Sequence, residues 1–244
     1  MNIDIVKKCV ADIPHMTINQ AERITQLVIE NNFSSILELG FRHGVSTCYL
    51  AAAVDEIGGG NITTIDLENA KVASPNINEL LEKLDLSKYV DTYFEPTSYT
   101  WRLMKILEDN PEPQYDLCYL DGAHNWFVDG FAFFLIDRLL KPGGLIIFDD
   151  LNWTYNMSPS LRHSEFVKNM PEDEQNTPQI RKVYELLVKP HSSYYNFMEE
   201  NDWAFAWKKS NLISESHKDI RTEIVKKEVY VGIGAFLKKL LKKF

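Results

Sequence analysis

The stretch Ser35-Ile36-Leu37-Glu38-Leu39-Gly40-Phe41-Arg42-His43-Gly44-Val45-Ser46 decides how the chain folds. A short apolar run stops at one glycine, and after a second glycine Ser46-Thr-Cys-Tyr-Leu-Ala-Ala-Ala-Val carries helix-forming residues, so the segment reads as strand, glycine turn, helix. Working outward, Gly58-Gly-Gly-Asn turns the chain into a second strand, Ile62-Thr-Thr-Ile-Asp66. The rhythm continues with a helix near 77–84, a strand near 90–94, a helix near 99–108 and a buried strand from Tyr115 that ends at Asp121. A helix from about Trp126 to Leu140 stops at Lys141-Pro-Gly-Gly, and the apolar strand Leu145-Ile-Ile-Phe148 follows. Upstream, Thr17 is an N-cap candidate for a first helix that ends at Asn31-Asn32, after a short leader. Strands alternating with helices predict an α/β fold with a Rossmann-like, doubly wound, mostly parallel sheet.

Residues 153–176 break the rhythm with Met, Pro, Ser, Asn and mixed charge, before Thr177-Pro178 opens another helix. A loop of that length inside a compact domain predicts a lid over a pocket. Ser193-Tyr-Tyr-Asn-Phe-Met and Trp203-Ala-Phe-Ala-Trp, separated by Glu199-Glu-Asn-Asp, predict a C-terminal antiparallel hairpin that completes a seven-stranded sheet.

Composition sets the outer bounds. The 244 residues suit one domain, expected over 1–209, with a tail over 210–244. The net charge is −9, and residues 226–244 hold six Lys against one Glu, which leaves an acidic body. Such a body argues against a nucleic-acid substrate, because phosphate binding needs a basic face. Cys9, Cys48 and Cys118 form no Cys-x-x-Cys pair, so they signal neither a disulfide framework nor a zinc site. The start lacks the apolar core of a signal peptide, which predicts a cytoplasmic protein. In the tail, Ile233, Phe236, Leu237, Leu240, Leu241 and Phe244 fall on one helical face of 231–244 and four lysines on the other. A helix of this kind suits either an anionic membrane surface, reached by peripheral contact, or packing against the body or a second subunit in a homo-oligomer.

Open α/β sheets bind ligands beyond the carboxyl ends of their strands. Gly40 lets a ligand approach the first turn, Gly44 relieves crowding where the next helix begins, and their Gly-x-x-x-Gly spacing is not that of a dinucleotide fingerprint. The helix start offers N–H groups to a carboxylate, with the Ser46 hydroxyl beside them. Asp66, at the end of the second strand, can accept the ribose hydroxyls of a nucleoside or cap the next helix. Asp121, Asp149 and Asp150 emerge together at the same edge. Three gathered carboxylates repel unless a hard divalent cation such as Mg²⁺ neutralises them, although Asp149 and Asp150 can also simply cap a turn.

The run Ile36 to Ser46 resembles the first motif of the catechol and caffeoyl-CoA O-methyltransferases, which are class I S-adenosylmethionine-dependent enzymes. The likeness includes the acid Glu38 two before the first glycine and the serine two after the second, and it extends over roughly residues 15 to 208. It implies that Gly40, Gly44 and Ser46 hold the methionine part of S-adenosylmethionine, Asp66 the ribose, and Thr97 or Ser98 the adenine. Glu38 and Asp121 complete the expected cofactor-binding set, and Met16-Thr17 resembles a segment that closes over the cofactor. Asp149-Asp150-Leu-Asn-Trp resembles the metal motif of the group, with Asp-Asp as in macrolide and aminocoumarin sugar O-methyltransferases. His124 stands where the catechol enzymes carry a lysine base, and imidazole preserves that role near neutral pH. The resemblance therefore implies a metal-assisted O-methyltransferase, with His124 and Asp121 as catalytic residues, acting on a small hydroxylated molecule or glycan. Trp153, Tyr155 and Arg162 are candidates to line the acceptor pocket. A metal-independent N-methyltransferase and a non-catalytic scaffold of the same fold are the alternatives.

Overall fold

The computed structural model describes residues 3–14 and 16–210. In chain order the elements are α1 (Ile3–Val10), α2 (Ile18–Asn31), β1 (Ser35–Leu39), α3 (Val45–Glu56), β2 (Asn61–Leu67), α4 (Ile77–Lys83), β3 (Val90–Glu95), α5 (Tyr99–Asp109), β4 (Tyr115–Leu120), α6 (Trp126–Leu139) and β5 (Leu140–Phe148). Then come α7 (Glu165–Lys168), α8 (Glu172–Asn176), α9 (Gln179–Val183), β6 (Tyr194–Glu200) and β7 (Trp203–Lys208). The sheet runs β3-β2-β1-β4-β5-β7-β6, parallel through β5, with β7 antiparallel to both β5 and β6. It is the expected Rossmann-like α/β sheet with seven strands and a terminal hairpin. Asn201 and Asp202 close that hairpin, both at positive φ, as a two-residue turn matched to strand twist demands.

Strand periodicity sorts the core into two layers. Ile36, Leu117, Tyr119, Leu145 and Ile147 point to the side covered by α1 to α4. Their neighbours Leu37, Leu39, Cys118, Leu120, Ile146 and Phe148 point to the side covered by α5, α6 and α9. Both faces are buried, which is why these strands read as unbroken apolar runs. Glu38 therefore shares the α3 side with Ile36.

Three boundaries differ from the sequence reading. The leader is α1, which buries Val6 and Val10; two anchoring residues are too few to show a period. Strand β5 begins at Leu140 instead of Leu145, because Leu140 already pairs with Tyr115 and Leu117 with Leu145. Five positions of β5 thus pass against two of β4, and Lys141-Pro-Gly-Gly is an irregularity within the strand. The 153–176 segment is ordered around short helices, with Thr154 and Ser164 capping its turns, and α9 starts after Pro178 and continues as a π-helical turn over Tyr184–Val188. Thr17 caps α2 as expected, in a reciprocal capping box with Gln20. The expected basic helix of the tail lies outside the described residues. Among the described residues no helix is long and apolar enough to cross a membrane.

Candidate active site

The parallel order changes direction between β1 and β4, and the carboxyl ends of these strands frame a cavity of about 760 Å³, the size range of a small-molecule site. Backbone bonds lace its floor: Gly40 N–H donates to Ile65 O at 2.8 Å, and Asp121 N–H donates to Leu39 O at 2.9 Å. Gly40 has φ +87°, and a Cβ there would lie 1.8 Å from the carbonyl oxygen of Asp121, so only glycine permits this approach. Gly44, at φ +91°, starts α3, and a Cβ there would meet Ile77 at 2.6 Å.

Asp66 sits at the cavity wall. Its Oδ2 accepts from the N–H groups of Phe41 and Arg42 at 3.0 and 2.7 Å, and Oδ1 accepts from Leu67 N–H at 2.6 Å. A carboxylate offers about four acceptor directions, so one remains for a ligand hydroxyl while two hold the glycine turn and one the N–H of Leu67. Asp66 does not cap the helical turn that follows it, whose N-cap position is Leu67.

Glu38 is fully buried and does not line the cavity. Ser46 donates to its Oε1, and Thr47 and Thr64 to its Oε2, each at 2.5 Å. Burial pushes its pKa up to about 7 against the pull of the three hydroxyls, with the Asp121 charge adding to the rise. Glu38 therefore reaches the site through Ser46, which does line the cavity. Thr97 and Ser98 follow β3 at the same edge of the sheet but do not line the cavity; Ser98 accepts from Thr100 N–H and caps α5. Met16 and Thr17 line it.

The acidic end assembles differently from the expected trio. Asp149 and Asp150 follow β5 and both line the cavity, but their carboxyls take different partners. The Asp149 carboxyl accepts from the Tyr119 hydroxyl, from Asp150 N–H at 2.7 Å and from Gln20 Nε2 at 3.5 Å. Burial and the nearby Asp121 charge push its pKa up to about 8. Asp150, at φ +53°, meets Asp121 and His124. One ligand atom from each of Asp121, His124 and Asp150 lies within 4.8 Å of the others. Asp149 is not in that cluster; His124 takes its place.

His124 Nε2 is 2.9 Å from Asp150 Oδ2 and 3.5 Å from Asp121 Oδ1. Neither contact has hydrogen-bond geometry, so the buried Nε2 has no hydrogen-bond partner. Burial alone would lower its pKa, but the two carboxylates outweigh that and hold it well above the ordinary imidazole value. The Asp121 pKa is raised, chiefly because burial penalises its charged form, with His124 pulling it down.

The loop carrying His124 is braced from behind, at positive φ, by residues the sequence reading passed over. Asp129 is buried; its carboxyl accepts from the Tyr99 hydroxyl and from Asn125 N–H at 2.8 Å, while Tyr99 accepts from Ala123 N–H at 3.3 Å. The available signal was an acid inside the apolar helix Trp126-Phe-Val-Asp129-Gly-Phe. Of the lid candidates, Trp153 lines the cavity with its ring 4.9 Å from that of His124. Tyr155 packs the lid shut against Trp153 and Phe166, and Arg162 lies outside; Ser158, Ser160 and Leu161 line the cavity instead.

Residues 37–151 match the family model described as a methyltransferase domain. The seven-stranded sheet is the fold of solved methyltransferase structures. Solved structures with this fold include the O-methyltransferase from Bacillus cereus in complex with SAH, at 20% identity and TM-score 0.61, with 85% of this chain and 88% of that one covered. Another is the O-methyltransferase TomG from Streptomyces achromogenes, involved in tomaymycin synthesis, in complex with SAM, at 16% identity and TM-score 0.60, with 85% and 89% covered. A third is the SAH-bound Podospora anserina methyltransferase PaMTH1, at 13% identity and TM-score 0.60, with 86% and 87% covered. A comparison with curated proteins gives no match.

Proposed function

We propose that the protein transfers the methyl group of S-adenosylmethionine to a hydroxyl of a small molecule or saccharide, assisted by a divalent cation. The observation that carries this reading is the cluster of Asp121, His124 and Asp150, which opens into the same cavity as Gly40, Ser46 and Asp66. Two carboxylates with a buried imidazole nitrogen that lacks a hydrogen-bond partner fit a divalent cation by charge and donor type. When bound, such an ion lowers the pKa of an acceptor hydroxyl, and S-adenosylmethionine supplies the electrophilic methyl.

The chain's own residues do the positioning. The N–H groups of the α3 start would hold a carboxylate, the Ser46 hydroxyl, whose proton goes to Glu38, would present its oxygen beside them, Asp66 would take a ribose hydroxyl, and Met16, Thr17 and the lid residues Ser158 and Leu161 cover the cavity. This arrangement keeps oxygen, carbon and sulfur in line, so the new O–CH₃ bond forms as the S–CH₃ bond breaks and sulfur keeps the electron pair. Asp121 and Asp150 would hold the cation, and His124 Nε2 beside them would take the hydroxyl proton. A second reading makes His124 the third ligand, favoured by its inclusion in the cluster. The acid-base reading predicts that His124→Gln abolishes turnover with cation affinity retained, whereas the ligand reading predicts that affinity falls.

The test is turnover of labelled S-adenosylmethionine with phenol, sugar and glycolipid acceptors. Turnover should stop with a chelator and return with Mg²⁺ or Mn²⁺. Chelator-insensitive transfer, or transfer to amines alone, would refute the metal-assisted O-methylation, and calorimetry showing no S-adenosylmethionine binding would refute catalysis altogether.

A further inference from the structure

Helix α6 is apolar on both sides. Its inner face buries Ala132, Phe133, Ile136 and Leu139, while Phe127, Phe131 and Phe134 on the outer face are 62%, 56% and 46% exposed. Trp126 and Leu186 extend this outer patch, at 41% and 59% exposed. Helices apolar all round are normally covered on both sides.

The outer face has an order that selects its occupant. Phe127, Phe131, Phe134 and Arg138 recur at steps of four, three and four, which places them on a single helical seam. The seam is symmetric about its midpoint between 132 and 133. Laid antiparallel against another copy, Phe131 faces the second copy's Phe134, and Phe127 faces the second copy's Arg138. Arg138 is exposed and, among the described residues, pairs with no carboxylate. At the opposite end of the helix, Asp173 and Glu174 share a shallow cavity of about 340 Å³ with Trp126, Phe127 and Lys182, whose ammonium pairs with Glu185. Asp173 and Glu174 likewise have no cationic partner among the described residues. The antiparallel match brings the second copy's Arg138 to the Phe127 ring and to both acids, so shape and charge are satisfied together.

We infer that this face is the two-fold interface of a homodimer, built on antiparallel α6 helices. An isologous contact of this kind closes on itself and leaves no free copy of the patch. Five large apolar side chains, each about half exposed and each of roughly 200 Å² for the aromatics, remove on the order of 1,000 Å² in a pair, the lower bound of a specific interface before its polar rim is added. The anionic rim opposes the alternative of an acidic lipid surface.

Sedimentation velocity of the full chain over roughly 1 to 100 µM tests this interface. The expected result is a dimer that Phe131→Glu converts to monomer and that Arg138→Glu weakens by about tenfold or more, with unchanged circular dichroism. The triple change R138E/D173K/E174K reverses the charges on both sides and should restore dimerisation, which no folding defect would mimic. A monomer at every concentration, a dimer indifferent to Phe131→Glu and Arg138→Glu, or failure of the charge-reversed triple variant would overturn the proposal. So would binding of the wild-type chain to phosphatidylserine vesicles that Phe131→Glu abolishes, which would assign the face to lipid.

Discussion

Replacing Glu38 by Gln tests whether this carboxyl supports the site from within the core. In the fold its pKa is about 7, against 4.5 for the ordinary group, because it is buried. A carboxyl whose pKa is raised on folding favours the folded state while protonated. That contribution is complete below about pH 4.5 and is lost as pH rises through about 7. The difference corresponds to about 3 kcal/mol once the group is fully ionised. Gln keeps the packing: its oxygen can accept from Ser46, and its two N–H groups can donate to the Thr47 and Thr64 hydroxyls that now share Oε2. Urea unfolding of both proteins from about pH 5 to about pH 9 should therefore show similar stability in acid, and an advantage for the variant that grows to about 3 kcal/mol in base. Cofactor affinity, read by calorimetry, should move by less than about fivefold, the worth of one net hydrogen bond. Parallel stability profiles would refute the buried-carboxyl argument, and a large loss of affinity at unchanged stability would make Glu38 a direct ligand contact.

Two further changes probe the frame. Gly40→Ala places a methyl group 1.8 Å from the Asp121 carbonyl at φ +87°, so differential scanning calorimetry should show a loss of more than about 2 kcal/mol and S-adenosylmethionine affinity should fall at least about tenfold; wild-type binding would contradict the geometry. Lys208 is buried, donates to the carbonyls of Asp137 and Leu140, and lies 3.3 Å from Asp137 Oδ1, so Lys208→Met should cost about 3 kcal/mol in urea unfolding, and a neutral result would show those groups to be hydrated.

The layers of the fold were legible because period and punctuation agree there. The apolar run before Gly40, the alternation across β4 and β5, and Glu199-Glu-Asn-Asp before Trp203 each carry one local meaning. Local signals failed where tertiary contact decides. Leu140 is a strand residue only because Tyr115 pairs with it across the sheet. At the site, the positions of Asp121, His124 and Asp150 could be read from strand ends, but the side chain of Asp149 could not. Its neighbour Tyr119 is thirty positions away, and that hydroxyl draws Asp149 out of the cluster its sequence pairing suggests. Glu38 posed the same difficulty: an acid beside a glycine turn looks like a ligand contact until burial and three hydroxyls assign it to the core.

The close approach of Gly40 to Asp121 has an evolutionary consequence. A Cβ at position 40 would lie 1.8 Å from the Asp121 carbonyl oxygen, so the first turn and the backbone that carries Asp121 cannot be moved independently. Position 40 is thereby closed to any side chain, while position 121 is constrained in its backbone. On the proposed methyl transfer, new acceptors would be accommodated along Trp153 to Leu161, and descendants of this scaffold would differ in what they methylate before they differ in how the methyl group is delivered.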